Sequence, residues 1–198
     1  PRFVAVSPNS TTAAWSADGV NWNTTVLPES ANWVSVTFGG GRFVAVADDT
    51  TTVAVSNDGE VWDITSTLTR TGANDVAYGM GRWVVVFDNS VSGDGVNYSP
   101  SALGEWSAPD NADEQLPTSA NWSSVTWGQG AFVAVASDTN TGAISIDGVN
   151  WNSMTVGSPD STDPAGYNKV RYGQGLFIAT LEDTTAGITG YSYVAKSE

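Results

Sequence analysis

Asp and Glu number 21 against seven Lys and Arg, and there is no His and no Cys. Without His the commonest general base and the commonest transition-metal ligand are missing, and a Ser-His-Asp relay is excluded. Without Cys there are no disulfides and no thiolate metal sites. What remains is carboxylate chemistry. Two carboxylates about 5–10 Å apart suffice to hydrolyse a glycoside, but no sequence block marks such a pair here. Two acidic patterns do recur. The first reads Ser16-Ala-Asp-Gly-Val-Asn-Trp22, Ser56-Asn-Asp-Gly-Glu-Val-Trp62 and Ser145-Ile-Asp-Gly-Val-Asn-Trp151. The second reads Asp48-Asp-Thr-Thr51, Ser137-Asp-Thr-Asn140, Glu182-Asp-Thr-Thr185 and, more loosely, Ser7-Pro-Asn-Ser10.

Each pattern has two readings. Asp18, Asp58 and Asp147 can each accept backbone N–H bonds inside their own turn, and Trp22, Trp62 and Trp151 can wedge between sheets. That structural reading is the one favoured for these six residues. Asp49, Thr50, Asp138, Thr139, Asp183 and Thr184 are candidate ligand residues for a sugar or for Ca²⁺, on loops that a rigid scaffold would present. The competing reading, that Asp-Thr is good turn chemistry, is preferred. Trp106, Trp122 and Trp127 are candidates for stacking on sugars, although tryptophans in a repeated sheet more often pack between its copies.

The elements that position these residues form a repeat. Arg2-Phe-Val-Ala-Val6, Arg42-Phe-Val-Ala-Val46, Arg82-Trp-Val-Val-Val86, Ala131-Phe-Val-Ala-Val135 and Leu176-Phe-Ile-Ala-Thr180 align, with aromatic positions 40, 40, 49 and 45 residues apart. Each full repeat reads as four short strands, A to D. Strand A is Asn32–Phe38 and its counterparts at Asn74–Tyr78, Asn121–Trp127 and Asn168–Tyr172. A glycine turn such as Gly39-Gly-Gly41 leads to strand B, the Phe-Val-Ala-Val run. Strand C is Thr52–Val55, matched by Thr12–Trp15 and Gly142–Ile144, and an Asp-Gly turn leads to strand D, which carries Trp22, Trp62 or Trp151. No window has helical periodicity.

Even-spaced short strands repeating near 40 residues predict an all-β fold: a five-bladed β-propeller of four-stranded antiparallel blades. It forms one domain over residues 1–198, with repeats at about 1–40, 41–80, 81–129, 130–174 and 175–198. In the third repeat either Trp106 takes the strand-D place after a lengthened B–C loop, or Tyr98 does and Pro100–Thr118 is an insertion. The chain opens at strand B. The C-terminal residues Tyr193–Lys196 are expected to close the ring before Phe3, the alternative being residues upstream of Pro1. The start at Pro1 is not read as the translational start, and no signal peptide is read there.

The Ser-x-Asp-Gly-x-x-Trp turn resembles the Asp-box, or BNR, repeat of sialidase-like propellers, Ser-x-Asp-x-Gly-x-Thr-Trp, and is one residue shorter. The whole unit is similar to repeats of phage virion proteins and bacterial surface proteins. The resemblance implies a structural role for the motif. A sialidase would also need an arginine triad, a tyrosine nucleophile with a glutamate partner, and an acidic Asp. The arginines here are Arg2, Arg42, Arg70, Arg82 and Arg171. Arg2, Arg42 and Arg82 share one place in successive repeats, which reads as scaffolding. Photosystem assembly propellers also have related repeats, but with more blades and a Gly-Gly-x-Thr-Trp turn absent here.

The expected function is therefore a non-enzymatic structural or adhesion module of a virion or cell surface, with carbohydrate recognition as its binding role. Its partners would be other virion or surface proteins and host glycans. A glycoside hydrolase is the alternative. No cofactor is expected, Ca²⁺ being the ion such loops would take. A net charge of −14 argues against nucleic acid as a partner, because its binding needs basic patches. No apolar run approaches the ~20 residues that span a bilayer, so membrane insertion is not expected.

Overall fold

The computed structural model describes residues 2–88, 95–110, 115–117, 120–157, 166–180 and 192–195, the last four by backbone alone. Every element among them is a strand, and the strands form five antiparallel sheets in chain order. The first holds β1 (Phe3–Val6), β2 (Ser10–Ser16) and β3 (Asn23–Ala31). The second holds β4 (Trp33–Gly39), β5 (Arg42–Ala47), β6 (Thr52–Ser56) and β7 (Asp63–Thr67). The third holds β8 (Ala73–Gly79), β9 (Arg82–Phe87) and β10 (Val96–Ser99). The fourth holds β11 (Trp122–Gly128), β12 (Ala131–Ala136), β13 (Thr141–Ser145) and β14 (Asn152–Thr155). The fifth holds β15 (Lys169–Gly173), β16 (Leu176–Thr180) and β17 (Ser192–Ala195).

Strand B explains why the sheets stack. In β5, β9 and β12 every position after the first is apolar and buried, because both faces of the strand are covered. In β5, Phe43, Ala45 and Ala47 pack toward the first sheet against Val4, Val6, Ala13 and Leu27. Val44 and Val46 point the other way, against Val76, Trp83 and Val85 of the third sheet. The same division recurs in β12. Phe132, Ala134 and Ala136 face the third sheet, and Val133 and Val135 face the fifth. The period-2 pleat thus turns one five-residue motif into two interfaces. Strands β4, β8, β11 and β15 lie next to one another, each the first strand of its sheet.

Three sequence expectations need correction. Among the described residues only the second and fourth sheets have four strands, whereas four were expected throughout. Trp22, Trp62 and Trp151 do not lie on strand D but immediately before it. The reason is local: the indole N–H of Trp22 and of Trp62 donates back to the carbonyl of Gly19 and of Gly59 at 3.3 and 3.2 Å, closing the turn before the ladder starts. Tyr193–Lys196 was expected beside Phe3, but Ser192–Ala195 pairs with β16 as the third strand of the last sheet. A neighbour in sequence is the nearer pairing partner. Among the described residues no strand pairs with the other edge of β1.

The third repeat is also resolved. Its β10 takes the strand-C place against β9, and Ser107 exchanges two backbone bonds with Tyr98 where strand D belongs. Trp106, directly before Ser107, holds the strand-D tryptophan place, and the B–C loop is the lengthened one.

Candidate functional site

The repeated turns are closed hydrogen-bonded units. In the first, the Ser16 hydroxyl donates to Asp18 Oδ1 at 3.0 Å and accepts from Gly19 N at 2.8 Å. Asp18 Oδ1 also accepts from the backbone N–H of Val20 and Asn21, each at 2.8 Å, and Asp18 Oδ2 accepts from Asn21 Nδ2 at 2.8 Å. Asp147 has the same partners in Val149 and Asn150. Asp58 repeats the backbone bonds to Glu60 and Val61.

Donors of this kind favour the ionised carboxyl. Backbone and side-chain N–H groups of Asn21 hold Asp18 far below the usual carboxylate range. Those of Val61 and Glu60 lower Asp58. Partial burial pushes Asp147 up, but the Asn150 amide and the Val149 and Asn150 backbone outweigh it and bring the pKa down to about 2. In the third repeat Ser101 stands where these turns carry Asp, and its hydroxyl accepts from Leu103 N at 3.2 Å.

The candidate ligand residues of the B–C loops have partners inside the fold. Asp49 Oδ1 accepts from Asn32 N at 2.8 Å, and Asp138 Oδ1 accepts from Asn121 N at 3.1 Å, so each ties its loop to the start of strand A. Thr50 Oγ1 and Thr139 Oγ1 accept from Thr52 N and Thr141 N at 3.3 and 3.1 Å. Asp183 and Thr184 lie outside the described residues. Among the described residues no group of three or more carboxylates is arranged to hold a metal ion. Trp106 and Trp122 are buried, and the ring of Trp127 lies over Gly79, so all three are occupied in packing.

Two of the repeated arginines, Arg2 and Arg82, reach from their own sheet to the next. Arg2 reaches the Asp58 carbonyl and the Glu60 carboxylate of the next sheet, both at 2.5 Å, and stacks over Trp15. Arg82 stacks over Tyr98 and lies beside Gly148 of the fourth sheet.

The most concentrated polar group is one the repeat does not announce. Asp75, on β8, is 1% exposed. Its Oδ1 accepts from the Ser35 hydroxyl at 2.6 Å and from Val76 N at 3.1 Å. Its Oδ2 accepts from the Ser124 hydroxyl at 2.6 Å, from Val125 N at 3.2 Å and from Arg171 Nη1 at 2.9 Å. Ser35 on β4, Asp75 on β8, Ser124 on β11 and Arg171 on β15 thereby join four sheets through their first strands. The Arg171 side chain remains 57% exposed and borders a recess of about 170 Å³ with Thr37, Tyr78, Thr126 and Trp127. The signal in the sequence was one residue: an Asp, next to Asn74 in β8, where the neighbouring repeats carry Ser35 and Ser124. The cluster presents one guanidinium to the recess. Its single carboxylate is buried and fully partnered, so it offers no second carboxylate for acid–base work.

No protein-family model matches the chain, and no curated protein matches it. Solved structures do. A structure of YCF48 bound to D1 peptide is 15% identical, with a TM-score of 0.61 over 89% of this chain and 56% of that one. A catalytically inactive Staphylococcus aureus virginiamycin B lyase with quinupristin is 10% identical, with a TM-score of 0.69 over 98% of this chain and 68% of that one. The β-propeller domain of Myceliophteria thermophila Cps50 (Swd1) is 9% identical, with a TM-score of 0.60 over 92% and 64%. These are β-propellers, and the chain has the β-propeller fold. It spans little more than half the length of the YCF48 structure.

Proposed function

We propose that the five sheets are five propeller blades, three of them carrying Asp-box-like turns, and that the chain is a non-enzymatic structural and adhesion module of a virion or cell surface. The observation that carries the reading is the use made of the recurring acids. Asp18, Asp58 and Asp147 are consumed by their own turns, Asp49 and Asp138 by strand ends, and Asp75 by four sheets at once. Groups a carboxylate-pair hydrolase would spend on substrate are spent here on holding the scaffold. The faces left to partners are rich in Ser, Thr and Asn, suited to hydrogen bonding with glycans and with neighbouring surface proteins. The form of the lyase with one histidine changed to alanine is catalytically inactive, and this chain has no histidine to supply that group.

The test has two arms. Glycan-array and cell-binding measurements are expected to give a saturable signal. A panel of aryl glycosides is expected to give no turnover, and sustained hydrolysis lost on changing a single carboxylate would replace this reading with the hydrolase one.

A further inference from the structure

The repeat allows each sheet to be compared with its copies, and the first sheet differs from the rest in what covers it. Phe43 and Trp62 are each 6% exposed, Phe132 is 0% and Trp151 6%. Their equivalents in the first sheet, Phe3 and Trp22, are 51% and 46% exposed. In the interior sheets the preceding sheet does the covering. A methyl placed on Gly59 would meet Val4 Cγ2 at 2.7 Å, and one on Gly148 would meet Val84 Cγ2 at 2.8 Å. The strand-B valine of one sheet therefore seats on the turn glycine of the next. Gly19 has the same positive φ of 79° but meets only its own Phe3.

A second series shows the same vacancy from the inner edge. Gly39, Gly79 and Gly128 end the first strands of their sheets. Each lies under an aromatic ring of the following sheet: Tyr78, Trp127 and Tyr172. The ring at this place in the second sheet is Phe38. Among the described residues the first sheet has no such strand to put a glycine beneath it, and Phe38 is 59% exposed. An open recess of about 450 Å³ sits there, lined by Arg2, Phe38, Phe43, Asn57 and Asp58.

We propose that Phe3, Trp22 and Phe38 form a docking surface for a further sheet of this same repeat, continuous in chain with β1. Its valine would seat on Gly19, and the inner strand leading into β1 would end in a glycine under Phe38. The occupant follows from the interface already made between the other sheets, repeated once more. Chain continuity follows from the turns between first and second strands, where only Gly40-Gly41 or Met80-Gly81 intervenes. An inner strand beside β1 must end within a few residues of Arg2. The matched propellers leave room for it, since the chain fills 68% of the lyase and 56% of the YCF48 structure. A second copy of the chain, itself five sheets, is too large for that remainder.

The experiment places residues 32–71, followed by a second copy of 32–41, directly before Arg2, so that Gly41 precedes Arg2 as it precedes Arg42. The chain has no Cys, so Trp22→Cys and Phe38→Cys report burial through their rate of thiol labelling. The graft is expected to slow labelling at both positions at least tenfold, to leave Ile146→Cys unchanged, and to raise Tm by about 5 °C. Unchanged labelling and Tm in a graft that folds would overturn the proposal. So would protection of Trp22→Cys in the ungrafted chain through self-association in the ultracentrifuge. An intramolecular disulfide between Trp22→Cys and Ile178→Cys in the ungrafted monomer would also overturn it, by assigning the surface to the chain's own last sheet.

Discussion

The first and second sheets carry nearly the same sequence motif and have different fates. Their turns are alike: the hydroxyl-to-carboxylate bond is 3.0 Å at Ser16–Asp18 and 3.1 Å at Ser56–Asp58, and the following N–H bonds match. Their aromatic residues are not alike, being exposed in one sheet and buried in the other. Turn geometry is thus a property of six or seven consecutive residues, whereas burial belongs to the stack. Stability should follow the same division, with packing substitutions sensitive to position in the stack and turn substitutions insensitive to it.

The largest effect should come from packing. Phe43→Ala is expected to cost about 4 kcal/mol in a denaturant titration, the usual range for a buried aromatic, and Phe3→Ala less than about 1 kcal/mol. Equal costs would erase the distinction between the two sheets. Asp75→Ala comes next, at about 3 kcal/mol. It removes the acceptor of the buried Ser35 hydroxyl and of the Val76 and Val125 N–H groups, and leaves the Ser124 hydroxyl only the longer bond to the Val170 carbonyl at 3.4 Å. Asp75→Asn should recover part of the loss, because an amide still accepts from hydroxyl and N–H donors.

Turn substitutions should be smaller and nearly independent of the stack. Asp147→Ala is expected to cost about 1 kcal/mol, and Asp18→Ala and Asp58→Ala should lower Tm by amounts close to each other. A clear excess at Asp58 over Asp18 would show that covering the turn strengthens it. The smallest effect is in pH. Asp147 ionises near 2 in the folded chain against an ordinary value of 3.8. The unfolded state then binds more protons through that window, so stability rises with pH. The Asp147 contribution is complete above pH about 4 and lost as pH falls toward about 2. Titrating stability between these limits should give a shallower slope in Asp147→Asn than in the parent chain.

Much of the fold was legible because its signals are local. The Phe-Val-Ala-Val strands, the glycine turns and the Ser-x-Asp-Gly turns each declare themselves within a few residues, and β5, β9 and β12 lie where the motif put them. Strand D was expected to include Trp22, Trp62 and Trp151 but starts one residue later; at Trp22 and Trp62 the indole N–H bond to a glycine carbonyl that closes the turn has no mark in the hydrophobic pattern. The place of β17 turned on a choice between two edges that sequence does not rank. The Asp75 cluster was missed for a different reason. Its members, Ser35, Asp75, Ser124 and Arg171, come from four repeats, and only the stack makes them neighbours. The B–C loop acids, by contrast, drew attention through recurrence, and the structure uses Asp49 and Asp138 to pin loops to strand ends.

The alternation along strand B gives the sheets a front and a back of similar kind: aromatic and alanine behind and valine ahead in β1, β5 and β12, with Val85 between the aromatics of β9 and Ile178 in the valine place of β16. A copy gained or lost in register would leave a seam of the same kind as the one it replaced, so the number of copies is free to drift by recombination within the coding sequence. Asp75 is the exception to that freedom. It sits in one copy only and draws its partners from the copy before and the two after. An exchange among those four would separate a buried charge from the groups that satisfy it, which makes this stretch the fixed part of an otherwise extensible array.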